Sequence, residues 1–234
     1  MATKKTKGKW IVKLLKAAVT AYLLLILCQM IGNAYSRLSI THKIPVSEEW
    51  NLIVVNRWNE LPEDYSVELT ELSNGQKVDS RIYPYLQEMF DAARAEGIYP
   101  IVREGYRTAE EQQEILDDKI QTYINQGYSQ SRAEKTAKEW VALPGTSEHQ
   151  LGIAVDINAD KSKCSNEDVY GWLAENAYKY GFVLRYPSGK QKITGTSYEP
   201  WHYRYVGEEA AKEIYERGIC LEEYFKQMIE EVGL

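Results

Sequence analysis

Ser147-Glu148-His149-Gln150-Leu151-Gly152-Ile153-Ala154-Val155-Asp156-Ile157 follows a Leu143-Pro144-Gly145-Thr146 turn and ends in a period-two pattern. Ala154 to Ile157 alternates as a half-buried strand does, so Val155 and Ile157 face a core while Ala154 and Asp156 face a cleft. His149 and Asp156 stand seven positions apart. On a helix that is about 10 Å, at about 1.5 Å per residue. Extended, it exceeds about 20 Å, at about 3.3 Å per residue. Neither spacing lets both side chains reach one ion at roughly 2.0–2.2 Å. A shared ion therefore requires a bend, and Gly152 is the residue able to supply it.

A second cluster, Glu199-Pro200-Trp201-His202-Tyr203-Arg204, carries another of the chain's three histidines beside a carboxylate. Pro200 keeps Glu199 out of helical space. In an extended, polyproline-like segment with about three residues per turn, positions 199 and 202 come to one side. Two His and one carboxylate, with a separate Glu, form the donor set of a hydrolytic zinc site. Taken singly, each residue has a plainer role: a turn His, a capping Asp, a solvated loop Glu, a core Trp. Their joint spacing is what points to a shared metal.

Working outward, Leu52-Ile53-Val54-Val55-Asn56 reads as a strand and is followed by a loop. Ile82, Leu86, Met89 and Ala93 recur at helical spacing before Gly97, which predicts a helix over about 80–96. Ile98 to Tyr106 reads as a strand. Thr108 with Glu111 forms a capping box for a helix to about Gln126, and Ser131 with Glu134 repeats the device for one ending near Val141. Ser165 with Asp168 opens a helix that stops at Gly181. Phe182–Tyr186 and Trp201–Val206 read as antiparallel strands, and helices near 208–217 and 221–231 follow. Helices and a small antiparallel sheet in one unit define an α+β class.

The net charge of −6 is unevenly spread: residues 1–16 carry six lysines and no acid, leaving the other 218 residues at −12. An acidic body argues against nucleic acid as a partner. The lysines run into an apolar stretch, Ala17 to Ile31, interrupted by Thr20 and Gln29. Lysine snorkelling can extend this stretch towards a full span, and the charge asymmetry puts the N-terminus inside. The expectation is a basic cytoplasmic segment (1–16), a transmembrane signal-anchor (17–35), a stalk (36–50) and a catalytic domain (51–234). The protein would then be a single-pass membrane protein with its domain on the extracytoplasmic side. The alternative is secretion after signal cleavage near Gly32 and Ala34. Either places Cys164 and Cys220 where a disulfide can form, but two semi-buried free thiols fit as well. A monomer is expected.

At these motifs the sequence resembles the VanY-type zinc D,D-carboxypeptidases, bacterial cell-wall peptidases. The matching segments are S-x-H-x-x-G-x-A-x-D at Ser147–Asp156, E-P-W-H-x-R at Glu199–Arg204 and G-Y-R-[ST]-x-x-x-Q at Gly105–Gln112. The 52–65 and 181–187 segments extend the resemblance over about 51–225. It implies an α+β, hedgehog-like D,D-peptidase fold with the zinc site in a cleft on the sheet. It also implies His149, Asp156 and His202 as Zn2+ ligands, Glu199 as base, Arg107 as transition-state or carboxylate cation, and Ser147 and Gln112 as substrate-binding residues. A structural ion pair from Arg107 to Glu104 or Glu111 is the competing role for that arginine. Arg185 and Arg204 are expected to be scaffolding. Glu104 stands where the commoner motif has Ser, which adds a negative charge near the site.

The implied substrate is a peptidoglycan stem peptide, losing its C-terminal D-Ala. An L,D-carboxypeptidase on tetrapeptide stems would use the same metal set. A D,D-dipeptidase gains nothing from a membrane anchor. A non-catalytic wall-binding module would have no use for Glu199, and a membrane sensor would need more than sixteen cytoplasmic residues.

Overall fold

A computed structural model describes residues 49–232. The expected cytoplasmic segment, signal-anchor and all but the end of the stalk lie outside the described residues. Among the described residues no helix is long and apolar enough to cross a membrane.

Leu52 to Asn56 forms no strand, although its apolar side chains are buried as a strand's would be. The Arg204 guanidinium takes the backbone carbonyls of Asn51 (3.0 Å) and Ile53 (2.8 Å), so they have no strand partner. The alternation still operates: Ile53 and Val55 enter the main core, while Leu52 and Val54 enter a second one. A hairpin of β1 (Leu69–Glu71) and β2 (Lys77–Asp79), absent from the sequence-based expectation, follows.

Helix α1 (Tyr83–Ala95) buries Leu86, Met89, Phe90 and Ala93, the face set by the helical spacing. It leads to β3 (Pro100–Glu104). Helix α2 (Ala109–Asn125) begins with the expected capping box, Thr108 Oγ1 accepting from Glu111 N–H while Glu111 accepts from Thr108 N–H. The second expected box is not formed. Helix α3 spans Gln130–Ala137, with Ser129 rather than Ser131 at its start, and it ends before Val141. The Glu134 carboxylate is taken by Gln130 Nε2 at 2.6 Å, which removes it from any box with Ser131.

A 3-10 turn (Glu148–Leu151) precedes β4 (Ala154–Ala159). Helix α4 (Asn166–Asn176) carries the Ser165–Asp168 box, and a 3-10 turn takes the chain to Gly181. Then come β5 (Phe182–Leu184), a short α5 (Gln191–Thr194), β6 (His202–Tyr205), α6 (Glu208–Arg217) and α7 (Leu221–Val232). The main sheet has the order β3-β4-β6-β5, antiparallel throughout. Val155, Ile157 and Tyr203 point from it into the core formed with α1 and α4. The second core seats α6 and α7 against Val183 and Val206. The α+β architecture thus carries the expected small antiparallel sheet and flanking helices.

Candidate metal and catalytic site

Two local devices bring the two histidines to Asp156. Gly152 adopts φ 74°, ending the 3-10 turn and folding His149 back towards β4. A side chain there would be strained, and its Cβ would stand 3.2 Å from the Asp79 backbone nitrogen. The second device is sheet register, which places Asp156 opposite His202 on β6. One ligand atom from each of His149, Asp156 and His202 lies within 4.8 Å of the others.

Asp156 Oδ1 is 3.0 Å from His202 Nδ1 and 3.5 Å from His149 Nε2. That Oδ1 atom is buried without a hydrogen-bond partner. The opposite nitrogen of His149, Nδ1, lies 2.7 Å from the Gly105 carbonyl, to which it donates when Nε2 is left as the ligating atom. Gly105 is required here because a Cβ would collide with the Lys77 carbonyl. The donor set therefore fits a tetrahedral zinc ion with one open position.

Glu199 lies beside this group, its Oε2 3.8 Å from His202 Nδ1. The two residues are joined by a turn, His202 N–H donating to the Glu199 carbonyl at 3.2 Å, so a turn supplies the proximity expected of a polyproline segment. Burial pushes the Glu199 carboxyl up to about 7, opposed by His202 and reinforced by Asp156. Burial disfavours a charged His202 ring, yet the Asp156 and Glu148 carboxylates beside it raise it to about 9. His149 is lowered, by burial and then by Arg107. Burial also disfavours the Asp156 carboxylate, but His149 and His202 hold it well below the usual range.

Arg107, Gln112, Ser147, Trp140 and Glu199 line the cleft over the ligand group, about 190 Å³ in volume. Arg107 Nη1 donates to Gln112 Oε1 at 3.0 Å, and Gln112 Nε2 donates to the Ala142 carbonyl at 2.8 Å. Gln112 thus holds Arg107 in place while itself lining the cleft. Arg107 Nε is buried without a hydrogen-bond partner and stands 3.5 Å from Glu104 Oε1. Glu111 is engaged in its capping box, leaving Glu104 as the acid beside Arg107.

Sequence reasoning overlooked Glu148. It is 1% exposed, and its Oε1 accepts from Arg185 Nε (2.7 Å) and Arg204 Nη1 (2.8 Å). Burial disfavours its charge, but Arg185, Arg204 and His202 hold it well below the usual carboxylate range. Both arginines are scaffolding, as expected. The available signal was an acid adjacent to His149 in a chain with two arginines in core-like strands.

The family VanY, D-alanyl-D-alanine carboxypeptidase, matches residues 75–208. This chain belongs to that family. A D-alanyl-D-alanine carboxypeptidase of Enterococcus faecalis (strain ATCC 700802 / V583) is 60% identical over 177 residues, covering 76% of this chain and 66% of that protein. The match thus spans just under two thirds of that relative's length. Among solved structures, a vancomycin-resistance D,D-pentapeptidase VanY mutant in complex with Zn(II) is 61% identical, with a TM-score of 0.74, covering 75% of this chain and 99% of that one. VanYB in complex with D-alanine-D-alanine is 60% identical, with a TM-score of 0.75, covering 76% and 98%. The VanY fold is therefore the fold of this chain. The two cysteines among the described residues are free: Cys164 accepts the Tyr99 N–H at 3.3 Å, and Cys220 is buried just ahead of α7.

Proposed function

We propose that this chain is a zinc-dependent D-alanyl-D-alanine carboxypeptidase that removes the C-terminal D-Ala from peptidoglycan stem peptides. The observation that carries this is the convergence of His149, Asp156 and His202 within 4.8 Å, with Glu199 3.8 Å from one of them. Zinc supplies Lewis acidity and activation of a water molecule when bound by these three residues. Glu199, placed near neutrality by its surroundings, accepts the proton of the attacking water at its carboxylate and passes one to the leaving amine. Arg107, held by Gln112 at the cleft wall, meets the anionic oxygen of the substrate, whether terminal carboxylate or developing oxyanion. Ser147 lines the same cleft and offers a hydroxyl to the peptide.

Incubation with a D-Ala-D-Ala-terminated pentapeptide and a tetrapeptide, read by mass with and without chelator, tests this reading. D-Ala release from the pentapeptide, lost with chelator and in Glu199→Ala, is expected. No release with zinc present, full activity in Glu199→Ala, or cleavage of the tetrapeptide alone would overturn it.

We also infer that a signal-anchor over 17–35 holds the 51–234 domain at the outer face of the membrane, as a monomer. The six lysines ahead of an apolar run support this. Membrane fractionation with N-terminal sequencing checks it: recovery in the soluble cytoplasmic fraction overturns the anchor, and a mature start near residue 35 points to secretion.

A further inference from the structure

Two buried polar atoms without hydrogen-bond partners face each other beside the ligand group: Glu148 Oε2 and His202 Nε2, 3.7 Å apart. Buried polar atoms are seldom left unpaired, so a facing pair of this kind calls for an explanation. His202 presents Nδ1 towards Asp156, and therefore presents Nδ1 to the metal. A neutral imidazole that ligates through Nδ1 carries its proton on Nε2. That N–H has Glu148 Oε2 in front of it, and a shift of under about 1 Å brings the pair to hydrogen-bond length.

We propose that Glu148 is a positioning residue for the metal centre, accepting the His202 Nε2 proton and so fixing that ligand's ring orientation and strengthening its Nδ1 donor. The inference rests on His149, Asp156 and His202 binding zinc. The two histidines then differ in their outer partners. His149 leans on a neutral carbonyl, Gly105, and His202 leans on a carboxylate. An anionic acceptor makes the imidazole the more basic donor.

The rest of the cluster explains how a carboxylate is kept there. Glu148 Oε1 is clamped by Arg185 and Arg204, which leaves Oε2 aimed at the ring. Arg185 is itself held from its far side by Glu222 at the start of α7, with Nη1–Oε2 at 2.9 Å and Nη2–Oε1 at 2.6 Å. Asn56 Nδ2 donates to Glu222 Oε1 at 3.0 Å. Two guanidiniums against two carboxylates leave the buried cluster neutral, with no surplus charge to drive a proton onto Glu148. Glu222 belongs to the same cluster but does not contact His202, which makes it the control.

Zinc affinity measured by chelator competition on wild type, Glu148→Gln and Glu222→Gln tests the assignment, with thermal melts run on each. Glu148→Gln is expected to bind zinc about 10- to 100-fold more weakly. Glu222→Gln is expected to stay within about threefold of wild type even where its melting temperature falls. Equal zinc affinity in Glu148→Gln and wild type would overturn the assignment, as would equal weakening in both variants. Long-range 1H–15N spectra of the zinc-loaded wild type give a readout independent of variant folding. A protected, downfield Nε2 proton on His202 is expected, and one exchanging freely with water would overturn the assignment. Failure of wild type to bind zinc at all would overturn the zinc reading itself, a separate result.

Discussion

Asp156 on β4 and His202 on β6 are register partners, and their side chains meet at 3.0 Å between Oδ1 and Nδ1. Without metal, the carboxylates beside the ring favour its protonated form, raising His202 from an ordinary 6.5 to about 9. The raised value means the pairing stabilises the metal-free fold fully below about pH 6.5 and ceases to do so as pH rises through about 9. Zinc needs the neutral ring and must displace that proton. Zinc affinity is therefore expected to rise about tenfold per pH unit from about pH 7 and to level off near 9. Calorimetry in buffers of different ionisation enthalpy should find close to one proton released per zinc near pH 7.5. A pH-independent affinity across this range would contradict the assignment of Nδ1 as ligand.

The other half of the site depends on one backbone conformation. Gly152 at φ 74° is packed against Asp79 and Val67, so Gly152→Ala introduces both left-handed strain and crowding. About 1–2 kcal/mol of destabilisation is expected from the conformation alone. Relief of that strain moves His149 away from Asp156, so zinc affinity should fall as well. Urea unfolding and metal analysis measure the two effects; an unchanged urea midpoint would refute the first.

The residues made legible by sequence are those whose role is local. Gly152 announced the bend, and Thr108 and Ser165 the starts of two helices, all borne out by the structure, whereas the segment after Pro200 is a turn and not the polyproline run expected there. Leu52 to Asn56 was misread because a strand and an extended segment share the same alternation. What separates them is Arg204, some 150 residues away, taking the carbonyls. Glu148 escaped for the same reason: its partners come from β6, from the residue after β5 and, through Arg185, from the start of α7. The short β1–β2 hairpin, three residues a side, carries too little pattern to announce itself.

Cys220 offers a check on the packing of the C-terminal helices. Burial pushes its thiol up to about 12, with the nearby Glu222 adding to it. At pH 8 almost none is thiolate, the reactive form. Maleimide or disulfide reagents followed by peptide mapping should label Cys164 in the folded protein and Cys220 only after denaturation. Prompt labelling of Cys220 at pH 8 would show that α7 is not seated as described.

Arg107 provides the sharpest test of the cleft's polarity. Its Nη1 is fixed by Gln112, while its Nε has no hydrogen-bond partner and Glu104 stands 3.5 Å off. A guanidinium left with a free, buried donor at the wall of a metal cleft is suited to an oxygen anion that arrives with the substrate. Lysine keeps the charge but lacks the fork that reaches Gln112 and the substrate together. Arg107→Lys is therefore expected to lower kcat/KM by about a hundredfold or more, in the range seen on removing one oxyanion donor. Gln112→Ala should act in the same direction but less, because it loosens Arg107 without removing it. The split between constants then reads the role: a rise in KM alone marks binding of the terminal carboxylate, and an equal fall in kcat and kcat/KM marks stabilisation of the transition state. A loss below about tenfold in Arg107→Lys, with zinc content unchanged, would assign Arg107 to the Glu104 ion pair and leave the cleft without its anion site.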